Sequence, residues 1–158
     1  DLSRRPPADL TPTPVPVGSA ARRWYVLART DFHTKLHLYA LDRMKTVQLT
    51  GTPFTLPANF SAQSHFSRFF GMILTDGDIE MVLLKTTESR AQYLRSLPLH
   101  HSQKETEPLH FELCLVPTPD FIGALRAMGS GVEVLKPLWL RQQLLKEAKE
   151  MAARYSHK

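Results

Sequence analysis

Residues 109–116 read LHFELCLV, with Leu109, Phe111, Leu113 and Leu115 at every second position. Side chains alternate sides along an extended chain, so this period of two lines one face with large apolar groups and demands a cover for it. The flanking segments supply the cover. Residues 79–86, IEMVLLKT, read as a second strand, 88–97, ESRAQYLRSL, as a helix stopped by Pro98, and 101–107 as a polar hairpin partner. Thr118-Pro119-Asp120 then places a capping hydroxyl, a first-turn proline and a first-turn carboxylate in order, and Gly129 closes a helix carrying Phe121, Ile122 and Leu125. Residues 132–135 form a further strand. From Pro137 to Tyr155 a final helix sets Leu140, Leu144, Ala148, Met151 and Tyr155 on one stripe, with Glu150 four residues before Arg154. The order β-α-β-β-α-β plus a terminal helix is a split βαβ, or ferredoxin-like, plan.

The first half is less regular. DLSRRPPADLTPTPVPV holds five of the 12 prolines and reads as an extended arm, although alternation at Thr13, Val15 and Val17 permits an edge strand. The chain starts at Asp1 and reads as a fragment of a longer protein. Residues 23–30 and 35–43 form two strands in which both faces carry apolar groups, the pattern of a small closed barrel. Trp24, Val26 and Ala28 share one face, and Tyr25, Leu27 and Arg29 the other. Residues 44–56 offer another short strand broken at Gly51–Pro53, and Phe66, Phe69 and Phe70 before Gly71 mark a short helix at a domain joint.

Composition narrows the function classes. At 158 residues and 42% hydrophobic the chain is large enough for one domain or two small ones, and a formal charge of +5 leans toward acidic or nucleic-acid partners. A single cysteine, Cys114, excludes internal disulfides and Cys-rich zinc sites and suits a reducing cytoplasm; its parity, opposite to the leucine face, reads as an inert packed thiol. No apolar run approaches the roughly 20 residues of a membrane span, so the expectation is a soluble cytoplasmic protein. Candidate chemistry is thin. His100-His101 reads as a solvated loop and not a metal site, and Ser64-His65 lacks the turn context of a nucleophile–base pair. The seven glycines form no phosphate-binding loop. No catalytic residue, metal or cofactor is assigned, and the expectation is not an enzyme.

What remains is basic and aromatic: Arg22, Arg23, Trp24, Tyr25 and Arg29, then His37, Tyr39 and Arg43. Aromatic faces that stack on bases, flanked by cations, hold single-stranded nucleic acid. The plainer account has Trp24 and Tyr39 packed in a core and the arginines as a solvated rim.

RRWYVLAR followed by LHLYALDRMKTVQLTGTPFTLP resembles the second half of a WYL domain, an Sm-like barrel named for its Trp-Tyr-Leu triplet. Downstream, IEMVLLKTTESRAQYLRSLPLHHSQ and GVEVLKPLWLRQQLLKEAKEMAARY resemble its C-terminal extension, abbreviated WCX. The resemblance implies an α+β chain: a partial Sm-like small β-barrel followed by a ferredoxin-like domain with a C-terminal helix. Its divisions are an arm at 1–12, the partial barrel at 13–57, a helical connector at 58–71 and the extension at 72–158. It also implies a bacterial transcription regulator, several of whose relatives act in phage defence or DNA-damage responses. The barrel would sense a nucleic-acid fragment or nucleotide, the extension would assist a homodimer, and duplex DNA would be bound only through a helix-turn-helix missing from this chain. In that scheme Tyr25 stacks on or hydrogen-bonds the ligand, Arg29 and Arg43 hold phosphate, Asp42 orients Arg43, and His37 lies on the neighbouring strand. Two positions depart from the family pattern: Val26 stands for leucine, and Ala40 replaces the arginine before Leu-Asp-Arg, removing one anion-binding cation. The alternative is a dimerisation module without a ligand.

Overall fold

The computed structural model describes residues 11–14, 25–30, 33–48, 59–71 and 73–156. The chain divides into two compact units, Asp1–Ala62 and Gln63–Lys158. Helix and antiparallel sheet occur together, as an α+β chain requires.

In the first unit β1 (Thr11–Pro14), β2 (Tyr25–Thr30) and β3 (His33–Ala40) make an antiparallel sheet in the order β1-β2-β3. Pro12 and Pro14 are two residues apart, so both missing N–H donors fall on the same edge of β1 and the other edge is left to pair with β2. This strand begins two residues inside the stretch read as an arm. Val26, Leu27 and Ala28 are all buried, so β2 is covered on both faces, as its two apolar parities require. The described strands form an open sheet and not a closed barrel. Strand β3 also ends earlier than its hydrophobicity indicates. Leu41–Arg43 form a short 3-10 turn closed by a 3.1 Å bond from the Met44 amide to the Leu41 carbonyl, and residues 44–48 are irregular. Aspartate is at home in such turns, where its carboxylate competes for backbone donors. Trp24 and the break expected at Gly51–Pro53 lie outside the described residues.

In the second unit the helical joint is short. Helix α1 (Ala62–Phe66) stops five residues before Gly71. Four strands follow: β4 (Glu80–Thr86), β5 (Lys104–Glu107), β6 (His110–Leu115) and β7 (Val132–Lys136), in the order β5-β6-β4-β7 with antiparallel neighbours throughout. Helix α2 (Glu88–Ser96) joins β4 to β5, and α3 (Pro119–Ala127) joins β6 to β7. Each helix therefore links two parallel strands with a third inserted between them.

One face of this sheet is the core. Val82 and Leu84 of β4, Phe111, Leu113 and Leu115 of β6, and Val134 of β7 meet Ala91 and Leu94 of α2 and Phe121, Ile122 and Leu125 of α3. Helix α4 (Leu138–Ser156) adds Leu140, its one buried residue. The expected stripe on α4 holds only through its first half: Leu144 is partly buried, whereas Met151 is 60% and Tyr155 84% exposed. Glu150 pairs backwards with Lys146 at 4.0 Å. Beyond Leu140, α4 is also held by Arg141 to Glu133 of β7 at 2.9 Å and by the Arg126 guanidinium of α3, which grips both carboxylate oxygens of Glu147 at 2.6 and 2.7 Å and holds that carboxyl down at about 2, with Gln143 assisting. Such an exposed fork orients the helix and adds little stability.

Leu109 is not the first residue of its strand. It sits with φ 66° in the two-residue turn between Glu107 and His110, its side chain packed against the core. Its amide donates to Glu105 at 3.2 Å, and its carbonyl accepts from the Thr86 amide at 2.9 Å and hydroxyl at 3.2 Å. A leucine in the left-handed region costs about 1–2 kcal/mol, which these three bonds and the buried isobutyl group offset.

Candidate functional site

Register decides which of the expected ligand residues meet. Paired residues on neighbouring strands share a face, and Tyr25 pairs with Ala40 while Leu27 pairs with Leu38. His37 pairs with Ala28, and Tyr39 with Val26, on the opposite face. Tyr25 and His37 are therefore separated by the sheet. Arg29 lies opposite Thr11, where the β2–β3 register slips between Ala28 and Thr30, so the strict alternation that groups it with Tyr25 is broken there. Four residues of strand also put its backbone roughly 13 Å from Tyr25. Asp42 and Arg43 are exposed in the turn that directly follows Ala40, the partner of Tyr25. The structure thus gathers Tyr25, Asp42 and Arg43 at one end of the sheet and leaves Arg29 and His37 elsewhere. Ala40 stands between the two parts of that smaller group.

The more elaborate polar arrangement is in the second unit. His100, read as part of a solvated loop, is buried at 7% exposure. Its Nε2 lies 2.9 Å from the Ser67 carbonyl, to which it donates, and its Nδ1 lies 2.7 Å from Ser102 Oγ. With Nε2 donating, Nδ1 of the neutral ring accepts the Ser102 hydroxyl, and Ser102 Oγ in turn accepts the Cys114 amide at 2.9 Å and lies 3.0 Å from the Cys114 carbonyl. One histidine and one serine thereby tie residue 67 to β6. The His101 ring lies 4.2 Å away, centroid to centroid. The sequence shows the adjacent histidines but gives no sign of Ser67, 33 positions upstream, as a partner.

Further bonds fasten the same stretch. Arg68 carbonyl accepts the Val116 amide at 2.8 Å, Phe69 forms a parallel bridge with Val116, and Phe70 packs edge-on against Phe121 at 5.5 Å. Asp120 does more than begin α3. It accepts the Thr118 hydroxyl and the Phe121 amide (3.0 Å) on one oxygen and the Ile73 amide (3.2 Å) on the other. The Thr118 hydroxyl is spent on Asp120 and does not cap the helix as its position predicts. Gly71 lies close beside it, and a Cβ there would force the Asp120 carboxylate to shift off its partners. Arg68 carries a cost: its Nε is buried without a hydrogen-bond partner among the described residues, a loss of about 1–3 kcal/mol.

Burial, and secondarily His101, hold the His100 imidazole below its ordinary value of 6.5, against the opposing pull of Ser67. His65 is lowered too, by burial and then by Arg68. The unfolded chain consequently takes up protons at a higher pH than the folded one. Stability is complete above about pH 6.5 and falls as the pH drops through that value toward the lowered folded values. Urea midpoints are expected to decrease from pH 8 to pH 5, and more shallowly in His100→Gln. Glu105 and Glu147, both held near 2 by arginine partners, titrate below this window. A midpoint that is flat or rises on acidification contradicts the buried neutral His100.

Cys114 corrects another expectation: it is exposed, on the sheet face away from the helices, opposite Met81. Among the described residues no three His, Cys, Asp or Glu side chains are grouped to hold a metal, and no helix is long and apolar enough to cross a membrane.

Residues 78–152, spanning β4 through most of α4, match the family model of the WCX domain. That match fits the C-terminal region of a WYL-family regulator. No curated protein matches the chain.

Proposed function

We propose that the chain is the ligand-sensing and dimerisation part of a cytoplasmic bacterial WYL-type transcription regulator, without enzymatic activity. The WCX match over 78–152 carries this reading. The second unit is read as a ferredoxin-like dimerisation domain, in keeping with its β5-β6-β4-β7 order, and the first as part of an Sm-like barrel. The ligand is a short single-stranded nucleic acid or nucleotide. Tyr25 stacks on a base, Arg43 holds phosphate and Asp42 orients Arg43. Occupancy shifts the dimer between two geometries that the ligand binds with different affinity, and duplex DNA is engaged only by a helix-turn-helix elsewhere in the protein.

Fluorescence anisotropy of the full-length protein with labelled single-stranded oligonucleotides tests it. Binding is expected to weaken with salt, and Tyr25→Ala plus Arg43→Ala is expected to reduce affinity about tenfold or more, since stacking alone is worth about 1–3 kcal/mol per base. Absence of binding, or binding indifferent to both substitutions, removes the ligand. A second reading, a dimerisation module without ligand, is favoured by the separation of Tyr25 from His37 across the sheet and of Arg29 along it. It predicts a dimer by light scattering that is indifferent to nucleotides and to Arg43→Ala.

A further inference from the structure

We propose that Ser67–Gly71 is a detachable strap, fastened to the second unit by His100 and able to come off while the four-stranded sheet stays folded. Its polar attachments are single bonds to His100 in the α2–β5 loop, to Val116 just past β6 and to Asp120 at the start of α3, outside any continuous ladder. Ser67 is held by His100, Arg68 by the Val116 amide, and the chain just beyond Gly71 by Asp120 through the Ile73 amide. Phe69 is buried and Phe70 rests on Phe121, which favours docking. The unpartnered Arg68 Nε opposes it, because that atom regains water when the strap lifts. A contact with few backbone bonds and a buried orphan donor belongs to the low-stability end of a protein's opening spectrum.

His100 is the fastening at the strap's first residue, because it links Ser67 through side-chain atoms to Ser102 and so to the backbone of Cys114 in β6. The strap lies on the covalent route from Asp1–Ala62 into the second unit, and lifting five residues lengthens that tether by up to about 17 Å. Its use as a regulatory tether rests on the sensor reading above; its detachment does not, and the two are tested separately.

The test is hydrogen exchange on the intact chain, following the Val116 and Ile73 amides against those of Val82 and Leu84 in β4. In the wild type, Val116 and Ile73 are expected to exchange about tenfold or more faster than β4, with little dependence on low urea. His100→Phe, which keeps bulk and removes the ring's hydrogen bonds, is expected to speed them about tenfold again and leave β4 unchanged. Equal rates for the strap-linked and β4 amides in the wild type overturn the proposal without any variant. So does a His100→Phe protein whose strap protection is unaltered, or one in which β4 loses protection in step with it.

Discussion

Phe111→Ala is expected to lower the unfolding free energy of the second unit by about 3–5 kcal/mol. Phe111, the second residue of β6, is fully buried, paired with Leu84 on the neighbouring strand and packed in a cluster drawn from every other core element of its unit. Removing its ring withdraws a large apolar surface and leaves a void that rigid neighbours on strand and helix fill only in part. Whole domains are stable by only about 5–15 kcal/mol, so a loss of this size brings the unit close to unfolding at room temperature. Urea denaturation followed by Trp139, which lies in α4 and donates to Glu80 at 2.9 Å, reports it in a Trp24→Phe background. A shift equivalent to under about 1 kcal/mol means that Phe111 is not in a packed core.

Leu140→Ala should cost about 2–5 kcal/mol, while Tyr155→Ala, on the same helix, should change stability by no more than about 0.5 kcal/mol. The contrast follows from where α4 touches the domain. Its first turns reach the core through Leu140, Glu147 is gripped by Arg126, and the last two turns present Met151 and Tyr155 to solvent. The same fluorescence measurement compares the two variants. Equal costs, or a larger one at Tyr155, contradict the placement of α4.

The helical stripe Leu140, Leu144, Ala148, Met151, Tyr155 shows how far periodicity reaches. It correctly marks a helix and its apolar side, but the side extends beyond the body that covers it. Periodicity is a local property of the chain; the extent of cover depends on the elements packed against it. Strand and turn boundaries failed for a similar reason. Leu109 continues the alternation of β6 by type, yet the hairpin claims it for a left-handed turn position. The alternation through Ala40, Leu41 and Asp42 likewise runs on where the backbone has already turned.

The candidate ligand residues were legible as types and partly illegible as a group. Tyr25, Asp42 and Arg43 fall at the same end of the sheet because antiparallel pairing sets Tyr25 opposite Ala40, next to the turn. Their grouping with His37 and Arg29 required a register that alternation within one strand does not fix: one step in pairing exchanges the two faces of the sheet. His100 was misread because a histidine's burial depends on distant acceptors. Its partner Ser67 is an unremarkable serine after a short helix.

By itself the sequence determined the succession of strands and helices from residue 79 onward, the apolar face of each, and hence an antiparallel sheet covered on one side. Those follow from local periods of two and 3.6, together with the capping proline at 119 and the glycine at 129. Only the tertiary structure decided what crosses between segments: the face on which each ligand candidate stands, the exposure of Cys114 and the end of α4, and the fastening of Ser67–Gly71 by His100 and Asp120. Each depends on the mutual placement of groups far apart in the chain, and hydrogen bonding and burial reward that placement without leaving a mark in the local pattern.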